Sequence, residues 1–395
     1  MLDDATRCPV SDWDPYEDAA LLDPYPHYAR LRDMGPVVHL SHYDLYALPR
    51  DSSVRFALDN WEIFSLAKGV LLNDRANEGA SGTTLCSDPP EHTRMKDVIM
   101  RPLKPAALRE HDSHIKGEAR SLVASLLQRG TFDVVADLAR HLPLAIVSRL
   151  VGLPEVGRQL MLDFAPASFN TAGPMEKERT RQAFEVLERT WPQIVPGAAA
   201  DVQPGSWLAG LYEAADEGAI PRDKCATMVL DYVGPSLDTT ITATVNAIWL
   251  FANHPGQWDL LRDRPNLIPN AINEIVRLES PIQGWTRYVT RDVDVEGVTI
   301  PAGSRVLVMF ASANRDERRW DAPERFDIGR QGVAQHVGFG RSVHSCAGAN
   351  LARMEIAALL TELLPAVKRF EIIEEEREVN NIVRLWKRLS VRAVQ

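Results

Sequence analysis

The sequence predicts a mainly α-helical fold with small β-sheets, organised as a single large domain. Three observations carry this expectation. Apolar residues recur with helical spacing over long stretches, at 108–153, 155–220 and 222–253. Strand-like runs are short and set apart by turns. No linker, repeat or low-complexity segment divides the 395 residues, which are enough to bury a sizeable core. A hydrophobic content of 45% and a charged content of 25% match a soluble globular protein.

Taken in order, the chain opens on Met1-Leu2-Asp3-Asp4-Ala5, with neither a basic region nor an apolar run, so no signal peptide or anchor is expected. Residues 14–32 read as a short helix. Val37-Val38-His39-Leu40 and Leu45-Tyr46-Ala47-Leu48 read as a hairpin around Ser41-His42-Tyr43-Asp44. Residues 65–86 are rich in Gly, Asn and Ser and lack periodicity; a loop this long in a compact enzyme is usually functional. Asp88-Pro89-Pro90-Glu91-His92 opens a helix, with Asp88 as its N-cap and prolines in the first turn. The 108–153 pattern is broken by Gly130 and ended by Gly152-Leu153-Pro154. Further helices follow to residue 220, with loops at Ala172-Gly173-Pro174 and Gln203-Pro204-Gly205. Residues 222–253 form a central buried helix, kinked where Pro235 removes a backbone donor. Glu274 and Arg277 sit three apart in a 268–278 helix, on one face. Strand-like pieces at 288–291 and 306–310 flank the turn Val295-Glu296-Gly297. A Pro-rich meander and the last helix follow, and Val383-Arg384-Leu385-Trp386 returns as a strand.

Bulk properties narrow the function classes. A net charge of −10 argues against generic nucleic-acid binding. No stretch of 18 apolar residues exists; the longest apolar region is interrupted by Asp231 and Asp238, so no membrane span is expected. Cys8, Cys86, Cys225 and Cys346 lie far apart without a Cys-x-x-Cys pair. This argues against zinc and for a reducing, cytoplasmic setting.

Two stretches carry chemistry. In Phe339-Gly340-Arg341-Ser342-Val343-His344-Ser345-Cys346-Ala347-Gly348, one cysteine stands just before an amphipathic helix, where free backbone N–H groups stabilise a thiolate. Small residues allow a flat partner to approach. Cys346 reads as the axial thiolate of a haem iron; a buried structural cysteine is the alternative. In the 222–253 helix, Asp238 and Thr239 stand beside the proline break, where an acid and an alcohol can relay protons. The alternative there is a kinked core helix whose threonines bond their own backbone.

The cysteine loop resembles the haem-binding signature of the cytochrome P450 family, Phe-Gly-x-Gly-x-His-x-Cys-x-Gly. Phe339, Gly340, His344, Cys346 and Gly348 match, and Ser342 stands where the family usually has its second glycine. Pro235-Ser236-Leu237-Asp238-Thr239-Thr240 aligns with the family's distal helix motif Ala/Gly-Gly-x-Asp/Glu-Thr-Thr, Pro235 and Ser236 being departures. Glu274-Ile275-Val276-Arg277 matches its Glu-x-x-Arg, with Arg330 fitting the third member. The resemblance covers nearly the whole chain and implies the cytochrome P450 fold, haem b held by Cys346, and proton delivery by Asp238 and Thr239. It implies a structural role for Glu274, Arg277 and Arg330, and contacts to haem propionates from His92, Lys96 and Arg287. The 65–86 loop would cover the substrate pocket.

The implied activity is an NAD(P)H-driven monooxygenase. Its electrons would come from a separate ferredoxin or flavin/iron–sulfur reductase, since neither a Gly-rich dinucleotide loop nor an iron–sulfur cysteine cluster is present in the sequence. Arg101, Lys104 and Arg109 form either a docking patch for that partner or a solvated basic face. Ser280-Pro281-Ile282-Gln283-Gly284 and Gly234-Pro235-Ser236-Leu237 resemble bacterial aromatic O-demethylases that act on lignin-derived methoxyphenols such as guaiacol and syringol. Phe164, Phe169, Ile282, Trp285, Thr286 and Trp386 are the candidate pocket residues, with core packing as the alternative for each. Competing readings are a hydroxylase of terpenoids, fatty acids or a secondary metabolite, a peroxide-driven peroxygenase, and a non-catalytic haem binder.

Overall fold

The structure, a computed structural model, describes residues 8–153, 155–194 and 202–395. It is mainly helical, with three small sheets among the described residues. At its centre runs the Asp238–Asn253 helix, 12 of whose 16 residues are buried. A helix apolar on all sides is a core helix. Against it pack the Ile268–Leu278 and Ala349–Leu363 helices, the Glu155–Asn170 helix packs on the preceding Leu230–Ser236 helix, and one main core joins them.

The strands are β1 (Val10–Ser11), β2 (Val38–Leu40), β3 (Leu45–Leu48), β4 (Phe64–Ser65), β5 (Thr131–Asp133), β6 (Trp285–Val289), β7 (Val293–Val295), β8 (Val298–Ile300), β9 (Arg305–Val308), β10 (Arg369–Arg377) and β11 (Trp386–Val394). Six form one sheet in the order β1-β2-β3-β9-β6-β4. Within it β2 and β3 make the expected hairpin, with Val38 opposite Ala47. Both faces of this sheet are covered: Val306 and Val308 are buried on one, and Leu45 and Ala47 on the other. β10, β11 and β5 form the second sheet, and β7 pairs with β8.

Several elements differ from expectation. Residues 14–32 hold two helices, Asp18–Leu22 and Tyr25–Met34, because Pro24 has no N–H to continue the first. The 65–86 loop contains a short helix, Asp74–Gly79, started by the Asn73 side chain, which accepts from the Ala76 N–H at 2.8 Å. Asp88 does not cap the next helix, which runs Glu91–Ile99. Its carboxylate instead accepts from the Leu66 N–H at 3.0 Å and from the Ser65 hydroxyl, tying that helix to the loop. Residues 131–133 add a strand that is too short for a periodic signal. Val383 makes only an isolated bridge to Ile282, and the strand begins at Trp386.

One buried carboxylate fastens the Ile268–Leu278 helix to the meander beyond it. Glu274 and Arg277 are fully buried. Arg277 donates to Glu274 Oε2 at 2.7 Å and Oε1 at 2.9 Å, and Arg330 Nε donates to Oε1 at 3.0 Å. The Asp327 N–H donates to Oε1 at 3.1 Å. The remaining guanidinium protons go to backbone carbonyls: Arg277 to Asn314 and Pro323, Arg330 to Asp321, Ala322 and Arg325. A charge this deep is tolerable only when it is fully paired. Glu274→Gln leaves two buried guanidiniums short of their counter-charge and should cost about 3–5 kcal/mol in chemical denaturation. A loss below about 1 kcal/mol would show that the triad is not under this constraint.

Candidate active site

The cysteine loop sits directly on the Ile268–Leu278 helix. A Cβ at Gly338 would lie 2.7 Å from Val276 Cγ1 and 3.1 Å from the Val276 carbonyl, so only glycine permits this approach. The loop then turns through two left-handed residues, Gly340 at φ 67° and Ser342 at φ 60°. The serine in place of the family's usual second glycine therefore keeps the backbone that glycine would favour. The turn returns the chain so that the Cys346 N–H donates to the Phe339 carbonyl at 2.8 Å.

Cys346 is accessible, although protein surrounds it closely enough for burial to push its thiol pKa up. Opposing that push are the N–H groups of Gly348 and Ala349 and the charges of Lys96 and Arg353. Those N–H groups open the Ala349–Leu363 helix, so the thiol stands where the helix end favours an anion. The Lys96 ammonium donates to the carbonyls of Val343 and Ser345, the latter at 2.7 Å, and so holds the cysteine loop while charging its surroundings. Arg353 lies 4.4 Å above the Phe339 ring.

On one side of the loop, cationic and polar groups converge without enough partners. The His92 and His344 rings lie 4.1 Å apart. Among the described residues His92 Nδ1 and His344 Nε2 are buried with no hydrogen bond; the latter is 3.9 Å from Asp88 Oδ1, beyond hydrogen-bond reach. Burial drives the His92 pKa down to about 4 and that of His344 lower still. Arg287 is buried, with one side-chain hydrogen bond, to the Thr286 carbonyl at 2.8 Å. Burial pulls its pKa down to about 10. Groups this deep call for an anionic, hydrogen-bonding partner. Together with a thiol at a helix start and the glycine turn, this donor set fits a flat metal macrocycle bearing carboxylates, that is, haem.

Across from the loop, the long distal helix is interrupted at Leu237, between Leu230–Ser236 and Asp238–Asn253. Pro235 supplies the break. The Thr239 hydroxyl donates to the Pro235 carbonyl at 2.6 Å. Asp238 is buried, and its Oδ2 has no partner among the described residues. Burial pushes its carboxyl up to about 7; Arg140 pulls the value down and Glu378 raises it. With Thr242 and Trp386 these residues line one small cavity.

The candidate pocket residues separate into two groups. Phe169 and Trp285 lie with ring centroids 6.2 Å apart, in an apolar cluster with Ile282, Val383 and Leu385 beneath Leu66 and Val70 of the covering loop. Thr286 is buried beside them, and its N–H donates to the Val70 carbonyl at 3.0 Å. Phe164 does not join them: it belongs to the main core and stacks on Trp191 at 6.0 Å. Trp386 is likewise removed from the aromatic cluster. Its Nε1 donates to Asn246 Oδ1 at 2.7 Å, and the Arg377 guanidinium lies 3.3 Å from its ring centre.

Sequence reasoning missed four side chains here. Asp231, noted only as an interruption, clamps the covering loop: the Thr84 N–H donates to its carboxylate at 3.1 Å and the Thr84 hydroxyl at 2.6 Å. Glu355 is buried with Oε1 unpartnered among the described residues, and burial pushes its carboxyl up to about 8. Its place between Leu351 and Leu359, four residues either side on a helix, was a readable signal. Arg140 and Glu378 are remote in sequence from Asp238 and gave none.

Two outcomes follow. A left-handed non-glycine residue costs about 1–2 kcal/mol, which the extra chain freedom of glycine partly offsets. Ser342→Gly should therefore change stability by less than about 1 kcal/mol, whereas Ser342→Val should lose about 2 kcal/mol in denaturant titrations. Equal stability of the two variants would contradict the φ assignment. Asp238 has a folded pKa raised from an ordinary 3.8 to about 7. Its contribution to stability is thus fully present below pH 4 and lost as pH rises towards 7. Asp238→Asn should flatten that part of the pH–stability curve and be the more stable form at pH 8, by at most roughly 4 kcal/mol. Parallel curves for the two proteins would show that Asp238 is not desolvated.

Comparison with known proteins agrees with this geometry. Residues 257–393 match the family model described as Cytochrome P450. The chain is 35% identical over 387 residues to Cytochrome p450 CYP199A2 of Rhodopseudomonas palustris, covering 96% of this chain and 93% of that one. It is 31% identical over 391 residues to Linalool 8-monooxygenase of Pseudomonas putida, covering 93% and 95%. Among solved structures it superposes on an intact type IV self-sufficient cytochrome P450 monooxygenase with a TM-score of 0.84 and 26% identity. It spans 99% of its own length and about half, 53%, of that longer chain. A relative 35% identical along nearly the whole chain, together with the thiol loop and the broken distal helix, places this chain in the cytochrome P450 family of monooxygenases.

Proposed function

We propose that this monooxygenase O-demethylates a small lignin-derived methoxyphenol of the guaiacol or syringol type. The observation that carries this reading is the aromatic pair of Phe169 and Trp285 in an apolar cluster under the 65–86 loop. Two rings packed on each other present an apolar aromatic surface on which a flat aromatic ring can stack, and leave the selection to shape and stacking. In this reading Cys346 would hold the haem iron, and His92, His344 and Arg287 would hold the haem carboxylates. Lys96 braces the ligand loop. Bound haem supplies oxidation of a C–H bond by dioxygen, favoured by electron donation from the thiolate.

The chain supplies the rest. The loop residues Leu66 and Val70 exclude water over the ring. Asp231 fastens that loop through Thr84. Asp238 and Thr239 deliver the two protons that dioxygen cleavage consumes. One oxygen atom enters the methyl C–H bond and the other leaves as water, with two electrons from NAD(P)H. The resulting hemiacetal collapses to a phenol and formaldehyde. The electrons arrive through a ferredoxin or a flavin/iron–sulfur reductase. Exposed Lys104 and Arg109 support docking of an acidic partner, while Arg101 is already paired with Glu217 at 2.9 Å. Four free cysteines support a reducing cytoplasmic setting. No helix among the described residues is long and apolar enough to cross a membrane.

A terpenoid hydroxylase is the second reading, favoured by the similarity to a linalool 8-monooxygenase. Optical titration of the purified protein separates the two. Guaiacol or syringol should shift the haem spectrum from low to high spin saturably, and turnover should release one formaldehyde per phenol. Trp285→Ala should extend the spectral response to bulkier ethers. A shift with linalool but with no methoxyarene would replace the demethylase by the terpenoid reading. A protein that binds no haem would overturn the assignment of Cys346.

A further inference from the structure

The small cavity beside Asp238 is bounded by Leu385, which also packs in the aromatic cluster, and by Trp386. Its volume is about 30 Å³, and Val135, Leu162, Ile241 and Leu385 form its apolar wall. A water needs about 10–15 Å³ of such space, so the cavity has room for about two. Two buried oxygens on its wall, Asp238 Oδ2 and Thr242 Oγ1, have no hydrogen-bond partner among the described residues. Asp238 is 7% exposed and Thr242 1%. Polar atoms this deep and unpaired are rare and point to bound water. The remaining polar lining is Arg140, half-buried, and Glu378, exposed. These two are also the charged groups that act on Asp238. A single small space thus runs from a buried carboxyl to one at the surface. The turn carrying Glu378 is fixed where its N–H donates to the Leu385 carbonyl at 3.2 Å.

We propose that this cavity is the proton port of the enzyme: Glu378 takes protons from solvent, water held by Thr242 passes them inward, and Asp238 receives them. Arg140 is a positioning residue that keeps the two carboxyls in register across the cavity. Each passage moves one proton from the Glu378 carboxylic acid through water to the Asp238 carboxylate. Glu378 then regains a proton from solvent, and no electron moves. The inference rests on the reading of Asp238 as the proton donor.

The test uses the haem-loaded protein with Glu378→Gln, Arg140→Gln and Asp238→Asn. The first change is at an exposed position, so folding is retained. The infrared carboxyl band lost in Asp238→Asn reports the Asp238 midpoint without any turnover. Glu378→Gln should lower that midpoint by removing a negative neighbour, and Arg140→Gln should raise it. In turnover, Glu378→Gln should slow product formation about tenfold, a fraction of what general acid catalysis supplies. It should also increase the solvent deuterium isotope effect while leaving the substrate-induced spectral shift unchanged. A midpoint that moves without any change in rate or isotope effect would make Glu378 an electrostatic neighbour only and overturn the port. Normal turnover in Asp238→Asn would overturn both the donor reading and the port. Slow turnover in Asp238→Asn beside normal turnover in Glu378→Gln would remove the port alone.

Discussion

The carboxylate of Glu274 is the constraint on which the ligand side of the molecule depends. It is fully buried, so it must be neutralised, and the neutralising guanidiniums of Arg277 and Arg330 come from two different segments. Their spare donors grip carbonyls between Asn314 and Arg325, which have no regular ladder of their own. The meander is thereby fixed by side-chain to backbone bonds instead of secondary structure. Asn314 carries the order onward, since its Oδ1 accepts from the Val337 N–H at 2.8 Å. One residue later Gly338 is pressed against Val276 of the same helix. The cysteine loop therefore inherits its position from Glu274 within a few residues.

What the sequence made legible was what it kept close together. The thiol, the turn glycine and the helix start lie within ten residues, so their joint meaning survives without any knowledge of the fold. The proline break and the acid–alcohol pair are likewise adjacent. Ser342 shows the limit of a motif letter: the backbone needed there is left-handed, and serine adopts it at φ 60°. The identity changed, but the conformation did not. The hairpin at 38–48 was readable for the same reason, because its register depends only on a short turn.

What could not be read was set by the folding of distant segments. Lys96 occupies a helix position that faces the site, but a flexible ammonium takes whichever acceptors are nearest, and the carbonyls of Val343 and Ser345 are. Phe164 and Phe169 lie on one helix, yet five residues turn them well away from each other, and only Phe169 meets Trp285. Trp386 has a polar edge whose partner, Asn246, comes from the central helix. Arg140 and Glu378 meet Asp238 from opposite directions along the chain. No local pattern encodes such a meeting.

The distal helix carries two buried acids whose difference explains its break. Asp231 and Asp238 are seven residues apart, a spacing that would put them on nearly the same face of an unbroken helix. Interruption at Leu237 separates their surroundings. Asp231 meets Thr84 and is saturated by an N–H and a hydroxyl, so burial raises its carboxyl only to about 6. Asp238 keeps one oxygen unpaired beside a small polar cavity and rises to about 7. An acid whose oxygens are held by loop donors serves first to fix the loop. An unpaired one is costly to bury, and it is suited to exchange a proton near neutral pH. Two like residues on one helix are thus given a clamp's role and a relay's role by their neighbours alone, and the proline departure from the family pattern is the feature that sets them apart.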